Sequence, residues 1–117
     1  MQSLRSPGPT MSALQARRVL HLDQVTFGCK VRAARAILDL SQTEFAARVG
    51  LTQRSVHRIE QGSVEAKLRT MAVIEKFWLE NGIAFEDLPN GGFCLVVERR
   101  SIGAQDEKTS AGKSPLV

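Results

Sequence analysis

The sequence predicts a mainly α-helical domain of four to five short helices closed by a C-terminal β-hairpin. Two stretches carry that prediction. Between residues 41 and 62, two apolar stripes of helical period flank Gly50, and each follows a hydroxyl residue suited to cap a helix, Ser41 and Thr52. Beyond residue 81 the pattern changes: Asn81-Gly82 is followed by Ile83-Ala84-Phe85, a turn segment Leu88–Gly92, and a second apolar run, Phe93 through Glu98. With 117 residues there is room for one small domain plus tails.

Each element can be justified in order. Residues 1–11, with Ser, Gly and two prolines, belong to a flexible extension reaching to about residue 25. That extension can carry a short helix over 12–24, with Leu14, Arg17, Arg18 and His21 on adjoining turns. Thr26-Phe27-Gly28 leads into a first core helix at about 28–39, whose Val31, Ala34, Ile37 and Leu38 face inward, and Leu40 bridges to the next. From Ser41 the inward positions are Phe45, Ala46 and Val49, and Glu44 completes a capping box with Ser41. Gly50 supplies a left-handed stop. From Thr52 only Val56 and Ile59 face inward before Gln61-Gly62 ends the helix. Such a helix is held by one narrow face and offers the other to a partner. A polar linker then reaches a longer helix at about 67–81, whose Leu68, Met71, Ile74, Phe77, Trp78 and Leu79 form a wider apolar surface. The domain is expected over residues 26–100, followed by a disordered tail at 101–117.

Composition narrows the function classes. Hydrophobic residues at 43 % and charged residues at 24 % are ordinary for a globular chain. No apolar run approaches the roughly 20 residues of a membrane span, and no secretory leader is expected, which points to the cytoplasm. Cys29 and Cys94 lack metal-type spacing and read as reduced core thiols. There is no phosphate loop, dinucleotide glycine fingerprint, paired metal-ligand motif or nucleophile elbow, so neither catalysis nor a cofactor is expected. Net charge is only +4, but it is unevenly placed. Residues 28–70 carry Lys30, Arg32, Arg35, Arg48, Arg54, Arg58, Lys67 and Arg69 against Asp39, Glu44, Glu60 and Glu65. Residues 71–98 carry Lys76 against Glu75, Glu80, Glu86, Asp87 and Glu98. A basic half followed by an acidic half would orient the molecule toward phosphate.

The segment Ser41-Gln42, Phe45-Ala46, Gly50, Leu51-Thr52-Gln53, Ser55-Val56, Ile59-Glu60 and Gly62 resembles the helix-turn-helix of Cro and phage-repressor-type (Xre-like) regulators. With flanking helices the resemblance spans roughly residues 28–85. It implies a compact lambda-repressor-like DNA-binding domain that binds operator duplex, often as a dimer. The hairpin resembles a recurrent subgroup of these regulators.

Candidate contacts follow. Thr52, Gln53, Arg54 and Ser55 open a helix suited to entering a major groove by its N-terminal end. There Gln can pair bidentately with adenine and Arg with guanine, making Gln53 and Arg54 the base-reading candidates. Ser55 and Arg58, a turn further on, reach a base or a phosphate. Gln42 lies at a helix N-terminus, where a phosphate oxygen is favoured; the resemblance implies that it also touches Gln53. Ser41 and Thr52 are phosphate candidates, although capping alone explains them, and His57 can touch phosphate from the polar face. The resemblance further implies a structural salt bridge between Arg35 and Glu60. An alternative function is an antitoxin or adaptor whose C-terminal helix and hairpin bind a protein partner. A homodimer is expected, with the broad face of helix 67–81 around Phe77 and Trp78, and the strand from Phe93, as the candidate surface.

Overall fold

The computed structural model of the chain describes residues 12–102. Helix α1 (Ala13–Ile37) opens at Ser12, whose hydroxyl accepts the Gln15 N–H while the Gln15 side chain accepts the Ser12 N–H. The expected break near residues 25–28 is absent, and α1 is one helix of 25 residues. The expectations for residues 1–11 and 103–117, and for the Arg17, Arg18 and His21 side chains, lie outside the described residues. Helix α2 (Gln42–Val49) and helix α3 (Gln53–Glu60) flank Gly50, which adopts φ 74° at the end of α2. Ser41 and Glu44 close the capping box of α2. The Ser41 N–H and then its hydroxyl hold the Glu44 carboxyl below its ordinary range. Helix α4 (Leu68–Glu80) is followed by strand β1 (Ile83–Asp87), strand β2 (Phe93–Val97) and a 3-10 turn at Arg99–Ser101. The two strands pair antiparallel with Phe85 opposite Leu95.

Gly28 explains why α1 continues where a glycine suggested a boundary. A β-carbon there would stand 2.9 Å from the Glu60 carbonyl oxygen and closer still to that of Ile59. The residue is a glycine because the C-terminal end of α3 presses against it, not because the helix stops. Gly→Ala in a helix interior normally stabilises by about 1 kcal/mol. Here the colliding atoms are backbone and cannot swing aside, so Gly28→Ala is expected to destabilise by about 1–3 kcal/mol, the usual cost of overpacking. The sign is the test: a raised midpoint in urea denaturation would rule out the close contact.

The core gathers Phe27, Val31 and Ala34 from α1 and Leu38 from its C-terminal cap, Phe45, Ala46 and Val49 from α2, and Val56 and Ile59 from α3, with Ile74 and Trp78 from α4 and Ile83 from β1. The wide apolar face of α4 is largely consumed inside the molecule. Trp78 is 4 % exposed and lies 4.8 Å from the Phe85 ring and 5.8 Å from that of Phe27, while Phe77 meets Phe45 edge-on at 5.5 Å. Trp78 is thus a core residue, while Phe77 is half-buried against the core. Leu68 and Leu79 remain exposed.

The hairpin is tied back at both ends. Lys30 bonds Asp87 at 3.0 Å, with its ammonium 5.4 Å from the Phe93 ring centre and 5.7 Å from that of Phe85. The last carbonyls of α4, orphaned by the end of the helix, find partners in the 3-10 turn. Arg100 Nη2 donates to Glu80 O at 3.1 Å and the Ser101 hydroxyl donates to Asn81 O. Ser101 is buried, so the ordered domain reaches past the expected boundary at residue 100. Cys94 also departs from expectation. Strand alternation sets it opposite Glu86 on the face turned from the core, where it is an exposed free thiol; Cys29 is half-buried and also free.

Candidate nucleic-acid interface

Helix α3 is short, and its burial is one-sided. Val56, Ile59 and Glu60 are buried, while Gln53, Arg54, His57 and Arg58 are exposed and Ser55 is half-buried. Its first turn is fixed by Thr52, whose hydroxyl accepts the Ser55 N–H at 3.1 Å and donates to Ser55 Oγ at 3.0 Å. The Thr52 hydroxyl proton is therefore committed to the cap. Ser41 is likewise engaged in capping α2. Among the described residues neither Arg54 nor Arg58 pairs with a carboxylate.

Behind this face runs a polar network that joins three helices. Arg35 grips Glu60 bidentately, Nε to Oε2 at 2.7 Å and Nη2 to Oε1 at 3.0 Å, and its Nη1 donates to Leu40 O at 3.1 Å. The guanidinium pKa is raised, chiefly by the hydrogen bond to Glu60. Glu60 Oε1 also accepts from Gln42 Nε2 at 3.0 Å, and the same amide nitrogen lies 3.4 Å from His57 Nδ1. Gln42 Oε1 in turn accepts from Gln53 Nε2 at 2.6 Å.

The network assigns each amide a direction. One N–H of Gln42 is spent on Glu60, and the same nitrogen faces His57 Nδ1. Gln53 spends one N–H on Gln42 and keeps its carbonyl oxygen and second N–H. Sequence reading anticipated two separate pairs, Arg35 with Glu60 and Gln42 with Gln53. It did not anticipate that Gln42 would connect them through Glu60, nor that His57 would close on Gln42. No local pattern announces that link, because Gln42 and Glu60 meet only when α2 crosses α3.

Two short helices across a glycine turn, the second bolted by an apolar stripe and a bonded carboxylate and presenting Gln53, Arg54 and Arg58 outward, define a helix-turn-helix DNA-binding domain. Residues 31–77 match the family model described as Helix-turn-helix. Over that stretch the chain is similar to the Xre-like (Cro/phage-repressor-type) helix-turn-helix regulators. A comparison with curated proteins gave no match. No described helix is long and apolar enough to cross a membrane, and no described group of His, Cys, Asp and Glu residues is arranged to hold a metal ion.

Proposed function

We propose that the chain recognises a specific sequence of duplex DNA and represses transcription from it, with α3 seated in the major groove. One observation carries this reading: Gln53 and Arg54 stand exposed on the first turn of a helix whose opposite face is locked by Val56, Ile59 and Glu60. Gln53 reads adenine. Its remaining N–H and carbonyl oxygen are the pair that N7 and N6–H require, and the bond to Gln42 holds its amide in one orientation before DNA arrives. Arg54 reads guanine through its fork of donors. Ser55 and Arg58 extend the contact to a base or phosphate further along, and His57 contacts phosphate.

Gln42 is chiefly a positioning residue in this scheme, because its side chain links the buried Glu60 to Gln53. Its backbone N–H, with those of its neighbours at the N-terminus of α2, is what addresses a phosphate. Repression needs nothing beyond occupancy: a domain seated across a promoter excludes polymerase.

Selection from a random duplex pool tests this directly. The wild-type chain should enrich one motif. Gln53→Ala and Arg54→Ala should each lose preference at one position, worth about 1–3 kcal/mol of discrimination. Gln42→Ala should relax preference at the position read by Gln53 while leaving that read by Arg54 intact, because only the bond that orients the Gln53 amide is lost. An identical motif from wild type and Arg54→Ala would remove Arg54 from base reading, and no enrichment by the wild-type chain would defeat the proposal. A reporter carrying the selected site upstream of a gene then distinguishes repression from activation by its sign.

A further inference from the structure

We infer that the chain takes up a proton at His57 when it binds duplex DNA, so that its affinity rises as pH falls. The inference rests on the proposed seating of α3 in the groove, and it names a regulation of that same site. Its starting point is the surroundings of the His57 ring in the free chain. Gln42 Nε2 stands 3.4 Å from His57 Nδ1. An amide nitrogen offers hydrogens and no lone pair, so a proton on Nδ1 would be set directly against it. Turning the Gln42 amide over does not relieve this. It would place Oε1 against the Glu60 carboxylate, which accepts from Nε2 at 3.0 Å, and would withdraw the acceptor that Gln53 Nε2 reaches at 2.6 Å. The cluster therefore favours the neutral ring, with Nδ1 bare and the one ring proton on Nε2.

The charged groups around the ring favour the same state. On α3, Arg54 lies one turn before His57 and Arg58 beside it, both exposed and without a carboxylate partner among the described residues. Glu60 lies three residues on, but its charge is already answered by the bidentate grip of Arg35 from α1. From α2, Gln42 is uncharged, and the Glu44 carboxylate is turned back onto the Ser41 N–H. A phosphodiester supplies the anion that this surface lacks.

His57 stands exposed one turn behind Gln53, on the face that α3 presents outward. Swung off Gln42 and protonated, the ring offers phosphate a charge-assisted bond, about twice as strong as a neutral one. The contact given up is the long one to Gln42, while the Gln42 bonds to Glu60 and Gln53 stay in place. Base reading is left undisturbed, and the proton acts on affinity alone.

Calorimetric titration of the full chain with its selected duplex, in two buffers of different ionisation enthalpy, counts the protons exchanged. Near neutral pH the wild-type chain should take up a measurable fraction of one proton per bound copy, and His57→Gln should take up none. Affinity should rise as pH falls from about 8 to about 5, the range in which histidine changes charge. The rise should be as much as about tenfold per pH unit for each proton taken up. His57→Gln should flatten that profile with the selected motif unchanged, whereas His57→Lys should flatten it at the high-affinity level. The chain has two histidines, and His21→Gln should keep the wild-type profile. Binding without proton uptake, or uptake that survives His57→Gln, would overturn the inference and leave DNA recognition standing. A chain that binds no duplex at any pH would defeat the recognition reading and the inference with it.

Discussion

Arg35→Ala is expected to cost about 3–5 kcal/mol of folding stability. The reason lies less in the lost attraction than in what remains. The Glu60 side chain is 3 % exposed, and Arg35 supplies both of its bidentate bonds. Without the guanidinium the carboxylate keeps only the Gln42 amide, and a charge left so far from water must be rehydrated by opening the domain or neutralised. Against a total stability of about 5–15 kcal/mol for a domain of this size, such a loss leaves a large fraction unfolded at moderate temperature. Replacing both partners with apolar residues of similar volume, Arg35→Met with Glu60→Leu, should recover much of the loss, since a buried pair often gives no net stability over a well-packed apolar one. Urea denaturation of wild type, single variant and double variant measures all three. A single-variant loss below about 1 kcal/mol would place the pair with exposed ion pairs. The double variant also separates stability from positioning: it should fold yet bind DNA poorly, because Gln42 loses the carboxylate that orients it toward Gln53.

What could be read from the sequence was governed by range. The caps of α2 and α3, the Gly50 turn and the hairpin are decided by residues a few positions apart, so Ser41, Glu44, Thr52 and the Asn81-Gly82 stop declared themselves. Gly28 misled because its reason is a distant one: the carbonyls at the end of α3. Without that neighbour a glycine in a helical pattern reads as a boundary, and one long helix became two. The apolar width of α4 was visible, but not how it divides between Phe45 on one side and Phe27 and Phe85 on the other. The same limit applies at the interface. Exposed Gln53, Arg54 and Arg58 follow from helical period alone, whereas the Gln42–Glu60 bond depends on the crossing of α2 over α3. Cys94 shows the reverse error: strand alternation placed it opposite the core-facing residues, but its apolar character suggested burial.

The affinity of the chain for its selected duplex should fall by about 10³–10⁵ between roughly 50 and 200 mM salt, the range for a protein making about 6–10 phosphate contacts. Each contact displaces a condensed counterion, so the slope of log affinity against log salt counts them at about 0.9 per phosphate. The interface offers two kinds of group for this. The N-termini of α2 and α3 present backbone N–H groups with the positive end of a helix dipole, and Arg58 and His57 stand exposed on the outer face of α3. The slope can therefore sort the arginines. Arg58→Gln should flatten it by about 1 per bound copy if Arg58 holds a phosphate, with the selected motif unchanged. Arg54→Gln should alter the motif and move the slope less, because a contact with a base edge displaces no phosphate counterion. An affinity that is flat across this salt range would contradict DNA binding through this face, whatever the oligomeric state.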